Sequence, residues 1–252
     1  MMKKTENIRY STHHDQMLDV YLPDEPGFRT IVYFHGGGLE KGDKAKTNMA
    51  EVATRLCEHG YGVVSANYRM YPQAHFPDFL MDAADAVAYA KAHLADWGGN
   101  GELLIAGQSA GAWLTLMLCL DETYLKGAGI DPHEIVGWIS DSAQATAHYT
   151  VLQRELGEHK YAQRINEFAP LFYVGEQTSF SHLLLIFYEK DMPCRPQQNM
   201  LLYQAILTFC PEADIEYRQL PGKHCHGSSH KDEDGEYAFV KTTLEWLTSR
   251  GL

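Results

Sequence analysis

The chain of 252 residues carries 21 lysines and arginines against 33 aspartates and glutamates, a formal net charge of -12 at pH 7. With no basic run to follow a phosphate backbone, this balance excludes nucleic acid as an expected partner. No stretch approaches the roughly 20 apolar residues of a membrane span. The length suits a single α/β domain over residues 1–252 that buries a large core. Five cysteines (Cys57, Cys119, Cys194, Cys210 and Cys225) lack paired spacing and read as reduced thiols. Residues 1–10 contain no apolar h-region, so the expectation is an unexported, cytoplasmic protein.

In chain order, 8–10 and 17–22 pair as an antiparallel lead-in, ended by Pro23. Apolar runs then alternate with helical patterns: a strand over 31–34, a helix near 44–59, a strand over 63–67, a helix near 77–95 and a strand over 103–106. After the next helix come strands over 135–139 and 183–188, a helix over 196–209, a strand over 215–220 and a final helix over 235–250. Such alternation predicts a mostly parallel sheet of about eight strands with crossover helices on both faces. Residues 142–182 show no clear strand pattern and are expected to form a small lid insertion. Its aromatics Tyr149, Tyr161, Phe168, Phe172 and Tyr173 either line an acyl or alcohol pocket or pack the lid against the body.

Gly107-Gln108-Ser109-Ala110-Gly111 lies between the 103–106 strand and the apolar segment from Trp113 to Leu118. A G-x-S-x-G at a strand-to-helix turn exposes its serine at the sheet's carboxyl edge, so Ser109 is the candidate nucleophile. His35-Gly36-Gly37-Gly38 directly follows the 30–34 strand and is almost free of side chains. Acyl transfer through Ser109 creates an oxyanion, and the N–H groups of Gly37, Gly38 and Ala110 are the expected donors, worth about 3–4 kcal/mol each. No phosphate-loop pattern follows these glycines.

A triad on this plan runs serine, acid, histidine along the chain. Asp191 lies just past the 183–188 strand and is the candidate acid; Asp141, past the 135–139 strand, is its reserve. The loop 221–227 after the next strand offers His224 and His226 as base. A zinc reading of His224, Cys225, His226 and His230 lacks a matching distant ligand pair, so no metal is expected.

Taken together, these pieces resemble the α/β-hydrolase superfamily and, within it, the small esterases related to hormone-sensitive lipase, acetyl esterases and feruloyl/acetyl xylan esterases. The matching pieces are Leu18-Asp19-Val20-Tyr21-Leu22-Pro23, His35-Gly36-Gly37-Gly38 with Gly42-Asp43-Lys44, Asn67-Tyr68-Arg69, Phe76-Pro77 followed by Asp82, Gly107 to Gly111, Asp191-Met192-Pro193 and His226-Gly227. Leu39 departs from the pattern, standing where these enzymes often carry an aromatic residue, and the histidine loop is slightly longer. The resemblance implies ester hydrolysis through a serine triad without cofactor. It implies His226 as the base, because His-Gly is the commoner arrangement there. The expected substrate is a small short-chain ester, an acetylated sugar or aryl ester. Rival readings are an aryl formamidase of the kynurenine formamidase type and a non-catalytic small-molecule receptor on the same fold. A homo-oligomer is compatible with the chain.

Overall fold

The computed structural model describes residues 2–160, 162–175 and 178–252. Eight strands form one sheet: β1 (Lys3–Arg9), β2 (Met17–Leu22), β3 (Phe28–Phe34), β4 (Gly62–Ala66), β5 (Gly99–Gln108), β6 (Ile135–Asp141), β7 (His182–Lys190) and β8 (Asp214–Lys223). Their order is β1-β2-β4-β3-β5-β6-β7-β8. The β1/β2 and β2/β4 pairs are antiparallel and the rest parallel. The helices are α1 (Thr47–Glu58), α2 (Asp78–Trp97), α3 (Ala110–Leu120), α4 (Thr123–Gly127), α5 (Tyr149–Leu156), α6 (Arg195–Phe209), α7 (His226–Ser229) and α8 (Ala238–Arg250).

Alternation of side chains along each strand divides the core in two. In β3, Ile31 and Tyr33 pack with residues of α1 and α8, whereas Val32 and Phe34 pack with residues of α2, α3 and α6. Both faces of the sheet are therefore covered, as a parallel sheet requires. All residues of α3 are buried. That explains why it lacks a polar face: the sheet lies on one side and segment 142–182 on the other. Trp113 Nε1 donates to the Phe168 carbonyl at 3.2 Å, which ties this segment to α3. Helix α2 stops at Gly98, whose left-handed φ of 89° lets its N–H return to the Ala95 and Leu94 carbonyls.

Segment 142–182 carries α5 and a 3-10 turn over Pro170–Tyr173. Of the aromatics expected there, Phe168 packs edge-on against Phe76 at 4.6 Å, and the Tyr173 hydroxyl donates to the Glu167 carbonyl. Phe172 is exposed, and Tyr161 lies outside the described residues. Tyr149 is treated with the site below. All five cysteines are free thiols. Among the described residues, no helix is long and apolar enough to cross a membrane.

One buried carboxylate holds the loop after β4. Asp82, 1 % exposed, accepts from Gln16 Nε2 at 2.8 Å and from the Arg69 backbone N–H at 2.8 Å and its guanidinium at 2.7 Å. Removing it strands three donors, one of them buried with it. Asp82→Ala should therefore lower unfolding stability by about 2 kcal/mol, because Arg69 remains able to reach water. A urea midpoint equal to wild type would contradict this.

Candidate active site

Three strand ends build the site. Ser109 is the first residue after β5, Asp191 the first after β7 and His224 the first after β8. Ser109 has φ 55° and ψ -110°, a strained turn between β5 and α3. The flanking glycines permit that turn through close approach: a Cβ on Gly107 would fall 2.2 Å from the Gly111 carbonyl oxygen, and one on Gly111 2.1 Å from that of Phe34. The Ser109 N–H is held by the Asp141 carbonyl at 2.7 Å.

Ser109 Oγ lies 2.8 Å from His224 Nε2, and His224 Nδ1 lies 2.5 Å from Asp191 Oδ1. An ionised carboxylate can only accept, so the Nδ1 proton faces Asp191 and Nε2 is left to accept the serine hydroxyl. The Asp191 side chain is fully buried. Burial raises its pKa, but the hydrogen bond and charge of His224, the Met192 N–H and the charge of Arg195 outweigh this and hold it below the ordinary aspartate range. Arg195 carries no motif signal in the sequence; it is buried and donates to the Ser142 carbonyl at 2.5 Å.

The structure brings Ser109 and Asp191 together through His224, not through His226, the base that the His-Gly pattern implied. Pro221-Gly222 reads as a strand breaker, yet β8 is the edge of the sheet, where a missing N–H costs no ladder bond, and it continues to Lys223. Its register pairs Lys223 with Lys190, so the residues that follow, His224 and Asp191, stand side by side. His226 begins α7, is exposed, lies against Gly222 and stacks on His230 at 4.6 Å. The four candidate zinc ligands of this loop are thereby divided: His224 faces Asp191, and Cys225 is buried with its N–H on Ser142 Oγ.

The reserve acid Asp141 does not meet His224. Its Oδ2 accepts from Ser228 Oγ, which also accepts from Gln108 Nε2 at 2.8 Å. Complete burial pushes this carboxyl up to about 7, only partly opposed by hydroxyls of Ser228, Tyr188 and Ser142.

The glycine loop after β3 is fastened by motif residues distant in sequence. Lys44 Nζ pairs with buried Asp19 at 2.7 Å, and Asn67 accepts from the Lys44 N–H at 2.6 Å while donating to Asp43 at 2.9 Å. His35 is stacked on Tyr68 at 4.5 Å, and burial lowers its pKa, keeping the ring neutral. Gly37 and Gly38 line a cavity of about 750 Å³ together with Ser109, His224 and Tyr149. Ala110 opens α3 directly after the serine. A Cβ on Gly38 would lie 2.4 Å from the Tyr149 hydroxyl, so that phenol touches the loop.

This sheet order, with a serine at the β5 turn and the candidate residues gathered at the carboxyl ends of the strands, is that of the α/β-hydrolase fold. Solved esterase structures share this fold. The family model described as BD-FAE matches residues 18–131. Esterase LipC of Mycobacterium tuberculosis is 27% identical over 198 residues, 66% of this chain and 49% of that protein. Esterase LipQ of the same organism is 27% identical over 239 residues, 88% of this chain and 56% of that protein. The chain thus spans about half the length of these relatives. Esterase B from Lactobacillus rhamnosis superposes with a TM-score of 0.76 at 17% identity, covering 98% of this chain and 84% of that one. Thermogutta terrifontis esterase 2 phosphorylated by paraoxon gives a TM-score of 0.76 at 15% identity, covering 98% and 94%.

Proposed function

We propose that the chain is a serine-dependent carboxylic ester hydrolase. The observation that carries this reading is the continuous contact from Ser109 through His224 to Asp191 at the wall of a cavity. Ser109 Oγ attacks the ester carbonyl as its proton passes to His224 Nε2, and Asp191 stabilises the imidazolium that results. The N–H groups of Gly37, Gly38 and Ala110 stabilise the oxyanion. His224 then returns its proton to the leaving alcohol, and an acyl group remains on Ser109. Water, activated by the same ring, releases the acid. Segment 142–182 acts as a partial lid, contributing Tyr149 to the cavity wall. The esterase names of the relatives support the reaction class, and the free thiols suit a reducing, cytoplasmic setting.

The test pairs turnover of 4-nitrophenyl acetate with labelling by a fluorophosphonate, read by peptide mass spectrometry. Turnover together with an adduct at Ser109 is the expected result. Folded protein that neither turns over the ester nor gains an adduct would overturn the reading.

A further inference from the structure

Five charged side chains line the same cavity as Ser109: Glu40, Lys41, Asp43, Lys46 and Lys160. Both carboxylates are already engaged. Glu40 pairs with the Arg154 guanidinium, and Asp43 accepts from the Ala45 N–H at 2.7 Å and from Asn67 Nδ2 at 2.9 Å. Asp191, the acid behind the site, is matched by His224 and by the field of Arg195. Among the described residues, Lys41 and Lys46 have no carboxylate within ion-pair distance.

These ammonium groups belong to elements that bracket the glycine loop. The Lys41 N–H donates to the Gly37 carbonyl at 3.2 Å, so its backbone abuts the expected oxyanion site. Lys160 Nζ lies 5.6 Å from the ring centroid of Tyr149, whose hydroxyl touches Gly38. Lys46 immediately precedes α1, and its charge reaches His35. With Glu40 paired to Arg154, Lys41 and Lys46 outnumber Asp43 in this cavity, a local cationic excess on a chain of net charge -12. Charges of one sign around a cleft concentrate counter-charged substrate there and discriminate against neutral competitors.

We infer that the ester processed at Ser109 bears a negative group, a carboxylate or phosphate about one lysine side chain away from the scissile carbonyl, held by Lys41 and Lys46. This inference rests on the esterase reading. It names the charge of the substrate and leaves the chemical step as described.

Two matched pairs of esters test it. Mono-4-nitrophenyl glutarate against 4-nitrophenyl valerate places the charge on the acyl side, with spontaneous hydrolysis subtracted. The second pair, 4-acetoxybenzoate against its methyl ester, places it on the alcohol side. In at least one pair, kcat/KM for the anion should exceed that for the neutral partner by about tenfold at low salt. That ratio should shrink towards one in 1 M NaCl, and Lys41→Glu and Lys46→Glu should each lower it about fivefold. Neutral partners turned over as well as the anions in both pairs would overturn the inference while leaving the esterase reading intact; so would a ratio indifferent to both substitutions. Failure to hydrolyse any of the four esters would instead remove the esterase reading, and the inference with it.

Discussion

His224→Ala should lower kcat on 4-nitrophenyl acetate by roughly 10⁴-fold or more, while His226→Ala should stay within about twofold of wild type. The asymmetry follows from position. His224 is the ring in contact with both Ser109 Oγ and Asp191, and without it the serine hydroxyl loses its proton acceptor. Whatever rate survives comes from oxyanion donors and substrate positioning. His226 is exposed and touches Gly222 and His230, so its loss removes a surface stack and no proton path. Steady-state kinetics on the two variants, with circular dichroism to establish folding, decides the matter. Full activity after His224→Ala would reject the proposed base, and loss after His226→Ala would return the role to the residue that the His-Gly pattern indicates.

Asp141→Asn should change the pH dependence of stability more than it changes the chemistry. In the folded protein burial lifts this carboxyl to about 7, from an ordinary aspartate value of 3.8. The folded state therefore holds the proton more tightly than the unfolded chain, and the group's contribution is fully present below about pH 4. It is lost progressively as pH rises to about 7 and changes little above that. Asp191, whose charge reaches Asp141, ionises below the ordinary range and stays charged through most of this window. Replacing Asp141 by the uncharged isostere removes the slope. The stability of Asp141→Asn relative to wild type should thus rise between pH 4 and pH 7 by on the order of 4 kcal/mol, an upper figure because the fold can relax around the charge. Urea denaturation at a series of pH values gives the difference directly. Parallel curves for the two proteins across that window would show that Asp141 is not protonated as its burial requires.

Features written in contiguous residues are legible in the amino-acid sequence alone. The strand over 30–34, the glycines after it and the strand-turn-helix around Ser109 are local patterns, because alternation and glycine spacing act over a few residues. The lead-in hairpin and the alternating order of strands and helices are legible for the same reason, and β1 and β2 do pair antiparallel. The choice of base and acid depends instead on register and on meetings between distant segments. A strand reading that stops at Leu220 makes His224 and His226 equivalent loop residues. The edge position of β8 lets it pass Pro221, and pairing of Lys223 with Lys190 selects His224 as the neighbour of Asp191. Asp141 and Asp191 likewise look alike along the chain, each at the end of an apolar strand. Ser228, arriving from α7, covers the first while His224 meets the second. The cationic excess of the cavity is also unreadable from a net charge of -12, since Lys41 and Lys46 come to line one cavity with Ser109 only in the folded chain. Composition adds charges over the whole chain, whereas a substrate meets the few that the fold collects around it.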